Sequence, residues 1–370
     1  MAIPGSAGKR PVAAQIIKRM MVDMRIAVVG AGVIGLATTA ALLERGADVA
    51  CFERLVPMGE RSAGESRIFR LAHRDAELVD LAARARHLFT GWEGQANEEL
   101  IDQVGTVVSG EGAHLWSAAM SAAGAVHLDV GPGSELLRLP TRQSPAESVI
   151  DPEGGVIRVD RVRAFLVSCC KPVIRIEQVE ALDVTADGVI VRTSSSQDRF
   201  DAVVLCAGAG TAALAAQAGF HPPSALAHHA RFTYRVRPQR QARMQCWLTT
   251  SDDGFGTYQH ASAPGQWSVG AHLDPAEVAW EVGAEQAMRT SQEATTAYVR
   301  STLDAVAPEV IDRLYCTVNP GLGDGVQFLR NGPVLAAFGE NLFKLSPLIG
   351  LRLAEAAMDD SLPAPMGQPH

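Results

Sequence analysis

RIAVVGAGVIGLATTAALLERGADVACFE, residues 25–53, carries the clearest structural signal in this chain. An apolar run suited to a buried strand leads into Gly30, Gly32 and Gly35, which form a G-x-G-x-x-G pattern. The spacing predicts a tight turn at Gly30, a close backbone approach to a pyrophosphate at Gly32 and close helix–strand packing at Gly35. A helix rich in Ala and Leu and a second apolar strand complete a β-α-β unit, so the stretch predicts a dinucleotide-binding site.

Glu53 ends the second predicted strand, where a carboxylate can accept hydrogen bonds from both ribose hydroxyls of an adenosine. An acid at this place favours FAD or NAD over NADP, whose 2′-phosphate needs a positive partner. Arg54 follows directly and keeps that choice open. The alternative interpretation is an ordinary β-α-β crossover in which the glycines serve only packing.

Composition and charge narrow the classes of protein to which the chain can belong. With 370 residues, 47% of them hydrophobic and 20% charged, it is expected to be a globular protein of one large or two moderate domains. A net charge of −8 argues against nucleic acid or an anionic membrane surface as a partner, and no apolar run reaches the ~18 residues of a membrane span. The six cysteines form no C-x-x-C pair, and His228-His229 lacks a third ligand nearby in sequence, so neither a disulfide framework nor a metal site is expected. A reduced cytoplasm is the default location.

Both ends of the chain lack the patterns of folded elements. Residues 1–23 are basic but have neither the apolar core nor the cleavage site of a signal peptide. We expect a disordered extension there, with an amphipathic anchor helix over residues 12–22 as the alternative. Residues 361–370 are rich in proline and are also expected to be disordered.

The rest of the chain contains two regions that differ in their predicted secondary structure. Residues 173–210 are β-rich and end in VVLCAGAG, a predicted buried strand that delivers small residues to a sheet edge where ligands bind in open α/β folds. Residues 216–320 instead suggest an antiparallel sheet. The elements predicted in that region are strands over 231–237, 244–249, 257–260, 267–271 and 314–318 and a helix over 285–306.

Five segments together resemble the amine-oxidising FAD family, which includes monomeric sarcosine oxidase, pipecolate oxidase and N-methyltryptophan oxidase and, more distantly, glycine oxidase and D-amino-acid oxidase. The segments are the first β-α-β unit, SRIFR (66–70), GGVIR (154–158), VVLCAGAG (203–210) and GPVLAAFGENLFKLSPLIG (332–350). The resemblance extends in order over residues 25–358. Its motifs are strongest in the FAD-binding pieces.

The resemblance implies an α/β fold with a discontinuous, Rossmann-like FAD-binding domain. It also implies a substrate domain built around a mixed, largely antiparallel β-sheet. The FAD-binding domain would consist of residues 24–90, 149–217 and 321–358, and the substrate domain of residues 91–148 and 218–320.

The resemblance also assigns roles to charged residues. Arg67 would lie close to the flavin ring, and Arg70 and Lys344 would hold the carboxylate of the substrate. A guanidinium fork and an ammonium form a sound physical clamp for such a group. The alternative is that these are solvated charges at helix starts. His260 and His272 could approach the flavin from substrate-domain strands, with strand packing as the equal alternative.

The residues expected to contact FAD come from all three segments of the predicted cofactor domain. They are Gly30, Gly32, Val33, Ile34, Gly35, Glu53, Arg54, Ser62, Arg67, Val179, Ala207, Gly208, Gly339, Leu342, Phe343 and Lys344.

Three positions depart from the family pattern. Ser268, in WSVGAH, replaces a lysine that helps dioxygen react with reduced flavin, and Asn341 replaces a histidine. Leu314 stands where many members have the cysteine that tethers FAD, and Cys316 lies two residues further along the same predicted strand face. Cys316 is interpreted as a buried strand cysteine, with a displaced tether as the alternative. Non-covalent FAD is therefore expected, and the electron acceptor stays open.

The sequence thus predicts a monomeric or homodimeric enzyme. It would use FAD to oxidise a C–N bond of a small, carboxylate-bearing amine to an imine, with hydride transfer to flavin N5. The catalytic candidates are Arg67, Arg70, Lys344, Ser268 and His272. The alternatives are a dehydrogenase with an acceptor other than dioxygen, an FAD-carrying subunit that needs a partner, and an NAD-dependent dehydrogenase.

Overall fold

The computed structural model describes residues 24–145, 147–238, 243–250, 255–320, 322 and 324–367. The expectations for residues 1–23 lie outside this part of the chain. In chain order the strands and helices are β1 (Arg25–Val29), α1 (Val33–Glu44), β2 (Asp48–Glu53), β3 (Ser66–Phe69), α2 (Ala76–Ala96), β4 (Ile101–Asp102), β5 (Thr106–Gly110), α3 (Ala113–Ala122), β6 (Leu128–Val130), β7 (Ser148–Asp151), β8 (Gly155–Arg158), α4 (Val159–Cys170), β9 (Ile174–Ile176), β10 (Val179–Thr185), β11 (Gly188–Thr193), β12 (Gln197–Phe200), β13 (Ala202–Leu205), α5 (Thr211–Gln217), β14 (Ala227–Val236), β15 (Cys246–Thr250), β16 (Gly256–Ala263), β17 (Gln266–His272), α6 (Ala284–Thr302), β18 (Val306–Val318), β19 (Val326–Asn331), β20 (Val334–Gly339) and α7 (Ser346–Asp359).

A six-stranded sheet contains the first β-α-β unit. Its order is β19-β20-β13-β1-β2-β9, and β1 pairs in parallel with both β2 and β13. The central strands are apolar apart from charged residues at the ends of β1 and β2, because helices α1 and α7 cover one face of this sheet and a separate apolar cluster covers the other. This arrangement confirms the Rossmann-like domain predicted from residues 25–53.

An eight-stranded sheet forms the second layer of the molecule. Its order is β18-β14-β17-β16-β15-β5-β7-β6, with β15 and β5 parallel and the other neighbouring pairs antiparallel. The helix α6 packs against β14 and β18 and closes an apolar core on that side. The sheet is mixed and largely antiparallel, as predicted.

One helix and one strand in this region differ from the sequence predictions. The helix α6 ends at Thr302, and the strand β18 runs from Val306, well before the predicted start at residue 314. Edge strand β18 carries partly and fully exposed residues along most of its length, so it lacks the apolar alternation that marks a strand in sequence.

The predicted domain boundary near residue 149 falls inside β7, which pairs in the eight-stranded sheet. The division into the two predicted domains otherwise stays a prediction.

The C-terminal tail contacts the six-stranded sheet at one position. Met366 is fully buried, and its backbone exchanges hydrogen bonds of 2.7 and 2.9 Å with Val326 on β19. The expected disorder of residues 361–370 stays a prediction. Across the described ranges, none of the helices has the length and apolar character that crossing a membrane requires.

Candidate active site

A cavity of about 1280 Å³ lies between the two sheets. It runs from the glycine turn after β1 to the short 3-10 turn that precedes α7. Ligand pockets for single small molecules are typically about 300–1,000 Å³, so this cavity has room for a dinucleotide with a small substrate beside it. The predicted site residues line this cavity, with two exceptions, Gly35 and Ser268.

The turn after β1 accepts only glycine at its key positions. Gly30 has a φ of +100°, and a Cβ there would lie 2.5 Å from the carbonyl oxygen of Cys206. A Cβ on Gly35 would lie 1.8 Å from the carbonyl oxygen of Gly30. Gly35 therefore acts through packing, because it brings helix α1 against the turn, and it need not touch the ligand itself.

The first turn of α1 points backbone N–H groups into the cavity. Gly32 is the N-cap and provides no side-chain cap, while Val33 N donates to the hydroxyl of Ser62 at 3.0 Å. A helix N-terminus carries a partial positive charge and unpaired donors, which suit a pyrophosphate. Ser62 comes from the loop after β2, so this loop brings a polar group to the same place.

Glu53 is oriented by the backbone around it. Its Oε2 accepts from Ala31 N at 2.9 Å and its Oε1 from Leu55 N at 3.1 Å. Each carboxylate oxygen keeps a lone pair for a ribose hydroxyl. The neighbouring Arg54 is paired with Glu60, so an acid already engages its charge. Together with the turn and the helix end, these residues fit the adenosine diphosphate portion of FAD.

Arg67 lies on β3 and not at a helix start. Its guanidinium donates to the carbonyl oxygens of Ser66 at 2.8 Å, Ala63 at 2.5 Å and Arg61 at 3.2 Å. These bonds hold the loop that carries Ser62. Burial, together with the charge of Arg231, lowers the pKa of Arg67 to about 10, so the group keeps its charge at neutral pH.

Arg231 is a second buried guanidinium beside Arg67 and was not predicted as a site residue. It is 8% exposed, lines the cavity, and donates to the carbonyl oxygen of Ser66 at 3.1 Å. Its Nε has no hydrogen-bond partner, and no carboxylate in the described ranges forms an ion pair with it. Burial lowers its pKa. The two arginines thus bring positive charge to the cavity, and neither forms an ion pair with an acid among the residues that the structure describes.

Arg70 and Lys344 lie together on the cavity wall, and their predicted role as a carboxylate clamp stays a prediction. Both approach Oδ2 of Asp324, with Arg70 Nη2 at 2.6 Å and Lys344 Nζ at 3.6 Å. Lys344 sits in the 3-10 turn Leu342–Leu345 and is almost completely buried. Burial lowers the pKa of Lys344 to about 8, although the charge of Asp324 opposes this shift.

Asp324 is the centre of this cluster and was missed from sequence. His73 Nδ1 lies 3.1 Å from its Oδ2, and Asn341 donates to its Oδ1. Burial alone would raise the pKa of Asp324, but the charges of Lys344 and Arg70 hold it well below its usual value. Burial and the charge of Arg70 lower the pKa of His73 to about 3, so this imidazole is neutral.

The three strand residues predicted near the flavin have different positions. Ser268 is 0% exposed and its hydroxyl pairs with that of Thr233 at 2.8 Å, so it lies inside the sheet wall and not on the cavity. His272 lines the cavity. His260 also lines it, and its Nε2 lies 2.9 Å from the hydroxyl of Ser66. Burial holds the pKa of His260 well below its usual value, which keeps the ring neutral.

Leu314 and Cys316 both line the cavity from β18. Cys316 is therefore not simply a strand cysteine in the core. Its Sγ lies 3.2 Å from His229 Nδ1, whose other nitrogen is 2.9 Å from the hydroxyl of Tyr258. Burial raises the pKa of the Cys316 thiol, which disfavours the thiolate.

The missed residues had weak sequence signals. Arg231 lies in the strand AHHARFTYRV, which also carries two histidines and a second arginine, so its charge does not stand out in the sequence. Asp324 follows a glycine-rich stretch and lies 254 residues from Arg70, so no local pattern connects them.

The residues that fit adenosine diphosphate, the buried cations and the size of the cavity together indicate a flavin-dependent oxidoreductase. The family model described as FAD dependent oxidoreductase (DAO) matches residues 25–356, so the chain belongs to that family. Its members depend on FAD, and the resemblance drawn from the five sequence segments is confirmed. Comparison with curated proteins returned no match.

Solved structures share the fold over almost the whole chain. The open form of NikD, an unusual amino acid oxidase essential for nikkomycin biosynthesis, is 23% identical with a TM-score of 0.77 and covers 92% of this chain and 95% of its own. L-proline dehydrogenase from P. horikoshii is 14% identical with a TM-score of 0.74, covering 90% and 93%. Iminodiacetate oxidase from Chelativorans sp. BNC1 is 18% identical with a TM-score of 0.73, covering 92% and 97%.

Proposed function

We propose that this protein oxidises a C–N bond in a small, carboxylate-bearing amine to an imine. FAD, when bound, accepts the hydride at N5 and so supplies the redox chemistry. The observation that carries the proposal is the convergence of Arg70 and Lys344 in the cavity next to the predicted flavin position. Two cations of different geometry suit an α-carboxylate, and the neighbouring structures of an amino acid oxidase and an iminodiacetate oxidase agree with this substrate class.

The chain's own residues bind and orient the amine. Arg70 and Lys344 would bind its carboxylate. His73, whose Nδ1 lies 3.0 Å from Arg70 Nη1, is neutral and adds no charge. The amine must lose its proton before it gives up a hydride. The surplus of positive charge from Arg67, Arg70 and Lys344 favours the neutral amine, because nearby cations lower the pKa of an ammonium group.

Anaerobic titration tests the proposal directly. The flavin absorbance of the purified, FAD-loaded protein should bleach with N-alkyl or free amino acids and not with the matching amines that lack a carboxylate. Arg70→Ala or Lys344→Met should weaken substrate binding, by on the order of 2–5 kcal/mol, and leave the FAD content unchanged. Equal bleaching by the decarboxylated amines would contradict the clamp.

A second candidate is a dehydrogenase that passes electrons to an acceptor other than dioxygen. It is favoured by Ser268, which replaces the oxygen-activating lysine of the family and is closed off from the cavity. Turnover with air should be compared with turnover with an artificial acceptor. A large gain with the artificial acceptor supports the dehydrogenase, and equal rates support the oxidase.

The attachment of FAD is part of the same proposal. We infer that FAD is held without a covalent bond, because Leu314 occupies the tethering position. Acid precipitation should release yellow flavin into the supernatant. Flavin that stays with a peptide containing Cys316 would contradict this. A cytoplasmic location and a monomeric or homodimeric state stay predictions from sequence.

A further inference from the structure

Asp324 stands where the proposed clamp would place a substrate carboxylate. Its Oδ2 lies 2.6 Å from Arg70 Nη2 and 3.6 Å from Lys344 Nζ. The other amino group of Arg70 is engaged by the carbonyl oxygen of Ala72 and by His73 Nδ1. Arg70 therefore cannot offer both arms of its fork to a ligand while Asp324 stays in place.

Charge leads to the same conclusion. Arg70 and Lys344 bring two positive charges, Asp324 brings one negative charge, and His73 is neutral. The cluster therefore carries one net positive charge, which attracts a ligand carboxylate, while repulsion between that carboxylate and Asp324 on the same cations favours the exchange of one for the other.

We propose that Asp324 is the resident anion of the Arg70–Lys344 clamp and that a substrate carboxylate takes its place there. This inference rests on the proposed function and deepens it. Only protein molecules in which Asp324 has left Arg70 and Lys344 bind a ligand carboxylate. Competition from Asp324 therefore lowers the apparent affinity of the protein for every carboxylate ligand. It also sets specificity, since a neutral ligand gains nothing by displacing Asp324 from two cations.

The test compares benzoate with benzamide as ligands of the FAD-loaded protein, with binding followed by the perturbation of flavin absorbance. In Asp324→Asn the Kd for benzoate should fall by about tenfold or more, because the competing charge is gone. The Kd for benzamide should not change. Benzoate binding that is unchanged or weaker in this variant overturns the inference and makes Asp324 a residue that only positions the cations.

Glu340→Gln is the matched control. Glu340 is another acid on the cavity wall, but it pairs with Arg61, at 2.8 and 3.0 Å, and not with Arg70 or Lys344. Its substitution should leave the Kd for benzoate unchanged. A gain like that of Asp324→Asn would show a general effect of cavity charge and would overturn the inference.

Two further measurements keep the inference testable. Asp324→Ala replaces Asp324→Asn if the latter fails to fold, as judged by thermal unfolding and flavin content. In the wild type with ¹³C-labelled aspartate, benzoate should shift an infrared carboxylate band, and an unshifted spectrum with benzoate bound contradicts the exchange.

The failure of the inference differs from the failure of the proposed function. If Arg70→Ala and Lys344→Met leave benzoate binding unchanged, the clamp itself is wrong. If those two variants weaken binding while Asp324→Asn does not tighten it, the clamp stands and only the exchange fails.

Discussion

Single residues decide how firmly the cofactor is held, and Glu53 is the clearest case. Because two backbone N–H groups already orient its carboxylate, Glu53 would bind a ribose with little further ordering. Glu53→Ala should lower FAD affinity through the loss of charge-assisted hydrogen bonds, each about 1.5–3 kcal/mol. The measurement is the flavin content after dialysis, with the exposed Glu99→Ala as control. Full FAD retention in Glu53→Ala would contradict the assignment.

We expect Arg231 to affect the rate at which reduced flavin reacts with dioxygen. The first electron transfer to dioxygen makes superoxide, and a fixed cation in a dry site stabilises that developing charge. Arg231→Met should slow reoxidation by about 10²-fold and leave flavin reduction unchanged, with Arg231→Lys close to wild type. Stopped-flow mixing of the reduced protein with oxygen measures both steps. Reoxidation of Arg231→Met at the wild-type rate would assign this role to another group.

The lowered pKa of Lys344 predicts a pH dependence of binding. Lys344 is charged below pH about 8 and neutral above it, and only the charged form attracts a carboxylate. Benzoate affinity should therefore be constant at neutral pH and fall as the pH rises through 8. Lys344→Met should bind benzoate weakly at all pH values, without this fall. A wild-type profile that is flat to pH 10 would show that Lys344 takes no part.

At the level of elements, the approach of α1 to β1 depends on Gly35. Gly35→Ala would place a methyl group 1.8 Å from the carbonyl oxygen of Gly30, so the helix must move away from the turn. Overpacking of this kind costs typically about 1–3 kcal/mol, and here it also misplaces the pyrophosphate donors. We expect a lower melting temperature together with weaker FAD binding.

Gly91 in α2 offers the matched control for that substitution. A Cβ there meets no atom within 4 Å, so Gly91→Ala tests the same change without crowding. It should be neutral or stabilise by about 0.5–1 kcal/mol through helix propensity. Equal destabilisation by the two substitutions would show that the crowding at Gly35 is relieved at no cost.

The element scale also shows what the sequence could predict. The β-α-β unit was readable because its glycines, apolar runs and terminal acid are local and periodic. Edge strand β18 was predicted short, because its exposed face hides the alternation. The position of Arg70 and Lys344 came from a resemblance, while their partner Asp324 depends on a contact across 254 residues that no local pattern encodes.

For the whole molecule, Asp151 links β7 of the eight-stranded sheet to the segment that follows β3. It lies at the end of β7, and its fully buried carboxylate accepts from Leu71 N at 2.6 Å and Ala72 N at 3.1 Å, just after β3. It also accepts from Glu153 N and Gly154 N. Asp151→Ala leaves these donors unpaired, at about 1–3 kcal/mol for each that water cannot reach. Thermal unfolding should show a large loss of stability.

Asp183→Ala is the matched control on the surface. Asp183 pairs with Arg192 where both side chains are substantially exposed, and such pairs contribute about 0–1 kcal/mol. Its melting temperature should stay close to wild type. A similar small effect for Asp151→Ala would mean that β7 and the segment after β3 are held together by apolar packing alone.

The buried Met366 has a practical consequence for handling the protein. Its carbonyl oxygen lies 3.3 Å from where a Cβ on Gly325 would be, and Gly325 is the neighbour of Asp324. Carboxypeptidase trimming, or a bulky affinity tag fused directly after the tail, therefore acts on a segment that lies close to the residue next to Asp324, in the proposed clamp. Preparations that differ only in their last few residues should be compared for ligand affinity before their activities are compared.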